Sequence, residues 1–236
     1  MVNENPIILA LETCSEICSV ALFKGSKVLA NQHVLKENSH SALLTPLIED
    51  TLKKAGIEKK ELTAIAVGMG PGSYTGLRVG LSTAKGLAYA LNIPIIPVDT
   101  LTAMAYGMKM SLKNHLNKDS ILIPMIEARR MEVYSAGFNL NLDTIFPPQP
   151  IILDDPNSNN LLISIEKGLI GGNGAIKCLE NPTLSHLSII SEKVINALNY
   201  GEISNRLFKN GVFVDTAYSE PFYLKSPPLK KPKKLI

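Results

Sequence analysis

Gly68-Met69-Gly70-Pro71-Gly72-Ser73-Tyr74-Thr75-Gly76-Leu77-Arg78-Val79-Gly80 follows the apolar run Ala64-Ile65-Ala66-Val67 and opens into a helical pattern that continues to about Ala90. Five glycines and a proline within thirteen residues predict a tight backbone turn between a buried strand and a helix N-terminus. Such a junction has two uses. It can turn unpaired N–H groups and the positive end of a helix toward an anion, with Gly70, Gly72, Ser73, Thr75, Gly76 and Arg78 as the contact residues. It can equally be a corner whose glycines only allow close packing. The spacing lacks the Gly-Lys-Ser/Thr of a P-loop and does not read G-x-G-x-x-G, so neither of those nucleotide modes is supported. The residues alone leave both uses open.

Upstream, residues 6–34 read as three short strands with tight connections, an antiparallel meander. Asn38 or Ser39 can cap the next helix and Gly56 can end it. Leu43, Leu44, Leu47, Ile48, Leu52 and Ala55 recur there at helical spacing, in a stripe broad enough either to be all core or to pack on the sheet with one side and face a partner with the other. Pro46 lies beyond the first turn of that helix and should cost a hydrogen bond. Downstream, Ile93–Val98 reads as a strand and Leu101 to about Lys113 as a helix. A second unit then begins: two strands, 121–126 and 132–138, joined by a turn that carries Glu127, Arg129 and Arg130. Residues 139–160, rich in Pro, Asn and Asp, read as irregular. A second glycine-rich strand end follows at Leu169–Gly174, then a helix from Ser191 to about Tyr200. The resulting division is 1–100, 101–218, a closing segment 219–225, and a lysine/proline-rich tail, 226–236.

The 236 residues are 45% hydrophobic and 19% charged, the composition of a chain that can bury a core. No apolar run approaches the roughly 18–20 residues that span a bilayer. The N-terminus has no basic, apolar leader pattern, and three cysteines do not make a disulfide framework, so a reducing cytoplasm is the expected location. Cys14 and Cys18 read as small buried residues rather than metal ligands. The net charge of +3 is uneven, because residues 225–234 hold five lysines. Such a tail can be a solvated end or can touch nucleic acid.

Catalytic chemistry is hard to find. His33, His40, His115 and His186 are scattered, with no H-x-x-x-H metal spacing and no G-x-S-x-G elbow.

The strings Ala10-Leu11-Glu12-Thr13, Ser19–Leu22, His40-Ser41-x-x-Leu44-x-Pro46-Leu47-Ile48, Ala66–Gly80 and Ala84–Ala88 together resemble the TsaB (YeaZ) family, bacterial components of the machinery that makes threonylcarbamoyladenosine in tRNA. The likeness is dense over 7–100 and continues through Ala128-Arg129-Arg130-x-Glu132-Val133-Tyr134 and Gly171–Gly174 to Pro221-x-Tyr223-Leu224. It implies an α/β fold of the actin/hexokinase/Hsp70 (ASKHA) type, two lobes each with a mixed sheet flanked by helices. It also implies kinship to the catalytic paralogue TsaD, once labelled a glycoprotease. TsaD carries an H-x-x-x-H metal site, and Thr100 and Met104 stand at the matching positions here. Neither replaces an imidazole, so the resemblance implies a non-catalytic partner with no metal.

The implied partners are a TsaD-like enzyme, the ATPase TsaE, TsaC as supplier of the threonylcarbamoyl intermediate, and tRNA through the complex. An apolar patch left without that partner can also pair with a second copy of itself as a homodimer. In the family, pairing uses helices of the first lobe, so His40, Leu43, Leu44 and Leu47 become the expected interface. No cofactor is expected to be required, with weak ATP or ADP binding at most. The rival reading is an ATP-binding, kinase-like enzyme of the same fold class that uses Gly70–Arg78 for phosphate. A protease finds no nucleophile–base pair.

Overall fold

In the computed structural model, which describes residues 5–35, 40–112, 116–190 and 195–225, the first half of the chain builds one five-stranded sheet. β1 (Ile7–Glu12), β2 (Ile17–Lys24) and β3 (Lys27–Leu35) form the expected antiparallel meander. β4 (Ala64–Gly70) and β5 (Ile95–Asp99) add in parallel on the other side of β1, so the order is β3-β2-β1-β4-β5. β1 and β4 are apolar at nearly every position because both of their faces are covered. β3, at the edge, alternates between exposed and half-buried residues along much of its length.

The second sheet repeats this plan. β6 (Ile121–Glu127), β7 (Glu132–Phe138) and β8 (Thr144–Ile152) are an antiparallel meander, and β9 (Gly168–Gly171) and β10 (Ser188–Ile189) add in parallel beside β6. Counted from its own first strand, each sheet has the order 3-2-1-4-5.

Side-chain alternation sorts the elements into layers. Leu9, Leu11, Val20 and Leu22 face outward onto α1 (His40–Ala55) and α2 (Tyr74–Leu91). Ile8, Ala10, Ala21 and Phe23 face the opposite way, into a shared core. That core also holds α3 (Thr100–Ser111), the turn of 3₁₀ helix Ala197–Tyr200, α5 (Gly201–Lys209), and Leu122, Ala136 and Phe138 of the second sheet. The outer face of the second sheet packs under α4 (Pro156–Ile163) and short 3₁₀ segments. Among the described residues, no helix is long and apolar enough to cross a membrane.

The fold departs from the sequence reading in three places. Residues 144–152 form a strand despite Pro147, Pro148 and Pro150, because β8 is an edge that needs hydrogen bonds on one side only. Residues 197–209, which the division at residue 101 grouped with the second lobe, lie in the shared layer on β1, β2 and β5, and Val214 bridges to Ile95. Their apolar side chains, Ala197, Tyr200, Ile203 and Phe208, cover the inward face of the first sheet. The helix expected over 191–200 is a 3₁₀ turn from Ala197 followed by α5, and residues 191–194 lie outside the described residues. So do the expected caps Asn38 and Ser39, His115 and the tail 226–236. α1 does run through Pro46. The proline is on its exposed face, where Ala42, whose carbonyl loses its helical partner, is also exposed.

Candidate functional site

A cleft of about 490 Å³ opens between the two sheets. The first lobe contributes the β1–β2 loop (Cys14, Ser15, Glu16), the start of α1 (His40, Ser41) and the start of α2 (Ser73, Thr75, Gly76, Val79). The second contributes Ile126 and Glu127 at the end of β6 and Asn173 just past β9. The same junction of each sheet therefore faces the cleft. Asn173 Oδ1 accepts from the Glu127 N–H at 2.9 Å, and Glu127 pairs with Lys177 at 3.2 Å. Glu127 and Asn173 escaped the sequence reading as cleft residues. The signal that finds them is Gly171–Gly174, a second copy of the glycine-rich strand end.

The glycines of the first junction are occupied by packing. A Cβ on Gly76 would overlap the Thr13 carbonyl oxygen, and one on Gly72 would sit 2.6 Å from Cys14 Cβ. Gly80 meets Thr13 Oγ1 in the same way. Gly70 has φ of 112° and lies against the Phe222 carbonyl. Backbone N–H groups are also used internally. Ser73 donates to the Cys14 carbonyl at 2.8 Å, and Gly76 donates to Ser73 Oγ, the helix cap, at 3.2 Å. The Thr13 hydroxyl closes the joint by donating to the Gly76 carbonyl at 2.8 Å. The expected anion-contact set is thus split. Ser73, Thr75 and Gly76 line the cleft, whereas Gly70, Gly72 and Arg78 do not. Arg78 turns away, its guanidinium 4.3 Å over the Tyr74 ring and its Nε donating to Tyr223 Oη at 3.1 Å. The described lining includes Glu16 and Glu127 but no lysine or arginine.

The expected interface set is split as well, and here the structure corrects the sequence reading. Leu44 and Leu47 are 1% and 8% exposed and belong to the core beneath α1. At 100° per residue, positions 44, 47, 48, 51 and 52 share one stripe, and that stripe lies on the sheet. Leu43 is half-buried at its margin. His40 faces the cleft, and its Nε2 is buried without a hydrogen-bond partner. The outward face of α1 is instead Ala42, Thr45, Pro46, Glu49 and Asp50.

Beneath the cleft lies a buried polar cluster. Glu12 is wholly buried. It accepts from the Cys14 N–H through Oε1 and from the Tyr200 hydroxyl through Oε2. Burial raises its carboxyl above the ordinary value of 4.5, and these hydrogen bonds only partly oppose the shift. Burial, reinforced by the Glu12 charge, pushes the Cys14 thiol and the Tyr200 phenol well up. Cys18 is buried too, its thiol pushed up to about 11. With both oxygens engaged, Glu12 is a structural carboxylate rather than one poised to position a cation.

The positions matched to the metal-binding histidines do not fit a metal. Thr100 is wholly buried, its hydroxyl beside the Cys14 thiol without a conventional partner. The Met104 methyl packs where a Cβ on Gly172 would sit. A neutral alcohol and a soft thioether make a poor donor set for a divalent cation. Among the described residues no group of three His, Cys, Asp or Glu is placed to hold one.

Comparison with known proteins agrees with this architecture. The profile of the family described as "TsaD: tRNA N6-adenosine threonylcarbamoyltransferase" matches residues 28–155, just over half of the chain. A protein of Buchnera aphidicola subsp. Baizongia pistaciae, named tRNA threonylcarbamoyladenosine biosynthesis protein TsaB, is 30% identical over 180 residues, 74% of this chain and 78% of that one. The chain belongs to the TsaB (YeaZ) family. A TsaB of Haemophilus influenzae is 39% identical over 132 residues, 56% of this chain, and the match spans only about half of that relative, 53%. YeaZ from Pseudomonas aeruginosa, at 23% identity, superposes with a TM-score of 0.77 over 93% of this chain and all of that one. The fold is therefore the two-lobed, actin/hexokinase/Hsp70-like one, with two mixed sheets flanked by helices. Within the TsaB family frame, the string Gly70–Gly80 is chiefly the joint that locks α2 against the end of β1.

Proposed function

We infer that this chain is a non-catalytic partner of a TsaD-like enzyme in transferring a threonylcarbamoyl group to the adenosine beside the anticodon of tRNA. What supports this reading is TsaB membership together with Thr100 and Met104 at the positions that the resemblance matches to the two histidines, where the residues present do not fit a metal. The chain keeps the fold of a catalytic relative and lacks the donors. The chemistry then belongs to the paralogue. This chain contributes binding energy that favours the paralogue's active form, which requires tighter binding to that form than to others. The outward faces of α1 and α2, where Pro46 and the 85%-exposed Tyr89 project, are the surface proposed for pairing, in place of Leu44 and Leu47. The same surface pairs two copies when the enzyme is absent. TsaC supplies the intermediate, TsaE is the accompanying ATPase, tRNA is reached through the complex, and the setting is the cytoplasm. No cofactor is required. ATP or ADP binds the cleft weakly at most, since among the described lining residues Glu16 and Glu127 face it and no lysine or arginine does.

Light scattering on this chain, the TsaD-like paralogue from the same genome and their mixture should give a one-to-one heterodimer. A threonylcarbamoyl transfer assay on tRNA should need both proteins. Transfer by this chain alone, or no association at micromolar concentrations, overturns the reading.

A further inference from the structure

The 18 residues of α2 include only two charged side chains, Arg78 and Lys85, and residues 214–225 engage both. Arg78 Nε donates to Tyr223 Oη at 3.1 Å, and its guanidinium lies over the Tyr74 ring, against which Tyr223 packs with centroids 4.8 Å apart. Lys85 Nζ donates to the carbonyls of Ala217 at 2.9 Å and Ser219 at 2.7 Å. The segment therefore runs antiparallel to α2, with Ala217 and Ser219 at Lys85 and Tyr223 near the start of the helix. Val214 N–H donates to the Ile95 carbonyl at 3.0 Å and Phe222 N–H to that of Met69 at 2.6 Å, so its backbone is tied to the first sheet as well. The other exposed positions of α2, Thr75, Ser82, Gly86, Tyr89 and Ala90, carry no charge.

Tyr218 has a pinned backbone and a free side chain. Its N–H and that of Ala217 donate to Asp215 Oδ1 at 2.7 and 2.8 Å, and Lys85 holds the carbonyls of its two neighbours. The side chain is nonetheless 87% exposed. Tyr89, 85% exposed, sits one turn beyond Lys85, about 6 Å further along the helix axis. Of the carboxylates on the segment, Asp215 bonds two N–H groups and Glu220 stays exposed, two residues beyond Tyr218. Two aromatic rings on fixed backbone, left in water, are pre-organised for burial by another molecule, because little ordering remains to be done on binding. Tyrosine suits that use, since it offers a large ring and a polar tip with only two side-chain torsions to fix.

We propose that Tyr89 and Tyr218 are the two aromatic anchors of the pairing surface, and that residues 214–225 are a built part of that surface with Lys85 as the positioning residue. The proposal rests on the functional reading above and states what the TsaD-like enzyme must present: an uncharged, apolar face recessed to take two rings. A charged segment laid over Thr75, Ser82, Gly86 and Ala90 would be stripped of water with no counter-charge to meet. An apolar one gains by the burial of both rings. Lys85 thus has two effects. It turns its own charge away from the exposed face of α2, and it holds Tyr218 where Tyr89 can share one partner with it.

The test is isothermal titration calorimetry of the full chain against the TsaD-like paralogue from the same genome. Tyr218→Ala and Tyr89→Ala should each weaken pairing about 30-fold, as truncation of a central aromatic does. Tyr218→Phe should stay within about threefold of the parent, because the ring is kept. Lys85→Met should weaken pairing about fivefold, and adding it to Tyr218→Ala should weaken it no further, since Lys85 acts through Tyr218. Thermal melting of Tyr218→Ala should match the parent's, because the side chain lies in water. A Tyr218→Ala chain that pairs as tightly as the parent overturns the proposal. So does a Lys85→Met loss that adds in full to the Tyr218→Ala loss, which would make residues 214–225 a support for α2 alone. Light scattering that shows Tyr218→Ala abolishing self-pairing with the heterodimer intact overturns it too, by giving the tyrosines to a second copy. Failure of the parent to pair with the paralogue is a separate result, which sinks the functional reading and this inference with it.

Discussion

The two lobes place a glycine-rich junction at the same point, after the fourth strand of each sheet, but support it differently. In the first, Gly72, Gly76 and Gly80 press against Thr13 and Cys14 at the end of β1, and the 18-residue α2 follows. In the second, Gly172 and Gly174 press against Met125, Ile126 and Glu127 at the end of β6, and a six-residue 3₁₀ helix follows. Both lobes need glycine there for one reason: the parallel crossover brings the backbone against the end of its neighbouring strand, and a Cβ has no room. The difference lies in what the junction carries. The first lobe extends it into the long helix α2, which with α1 covers one sheet face, and the second spends it on a short turn at the cleft. A glycine motif that looks like ligand chemistry is, in both lobes, first a packing device.

The largest effect expected is at the first junction. Gly76→Ala should cost about 3–4 kcal/mol, because its Cβ overlaps a backbone carbonyl that cannot move without dragging β1. Urea denaturation measures it, and a neutral result would dissolve the comparison. Leu47→Glu should cost about 3 kcal/mol in the isolated chain, since the side chain belongs to the core under α1, a layer the second lobe builds from shorter elements. If that variant melts like the parent and merely pairs less well, the burial assignment is wrong. Gly172→Ala should cost about 2–3 kcal/mol, less than Gly76→Ala. Its φ of 101° and the Met125 carbonyl oppose a Cβ, while the Met104 methyl can give way. An equal or larger loss there would reverse the ranking of the two junctions.

Tyr200→Phe removes the phenol that bonds Glu12 and should cost about 2 kcal/mol. Among the described residues this pin belongs to the first lobe, next to Gly68, whose Cβ would strike the Tyr200 hydroxyl. It also predicts a pH dependence. Burial raises the folded Glu12 carboxyl above 4.5, so the native chain keeps that proton to higher pH than the unfolded chain. The stability it confers is complete below pH 4.5 and is lost as pH rises through the folded value. Glu12→Gln should therefore gain on the parent as denaturation is repeated upward from pH 4.5. A difference independent of pH would mean that Glu12 titrates normally. Asp99, raised by burial from 3.8, leaves a residual slope of the same sign in both. The smallest effect is a control. Gly86 sits on the exposed face of α2 with nothing near its Cβ position, so Gly86→Ala should stabilise by about 0.5–1 kcal/mol.

Local patterning made the meander, α1, the β4–α2 junction and the β6–β7 hairpin legible, because each is announced by alternation, helical spacing or glycine within one stretch of chain. The reading failed where a second segment decides. Pro147, Pro148 and Pro150 look like a loop until β8 is seen to be an edge. The resemblance gave Leu44 and Leu47 to a partner, and the sheet beneath α1 claims them instead. Arg78 looks like an anion ligand until Tyr74 and Tyr223 claim it.

The sequence by itself determined the two α/β units and the glycine corner, which are properties of residue type and short-range spacing, and it carried the resemblance that pointed to the family. Only the tertiary structure decided that residues 197–209 return to the first sheet, that Glu12 and Tyr200 close it from beneath, and that Asn173 meets Glu127 across from Ser73. Those contacts join residues far apart in the chain. They are selected by which apolar face still lacks a cover and which buried polar atom still lacks a partner, conditions that exist only once the sheets have formed.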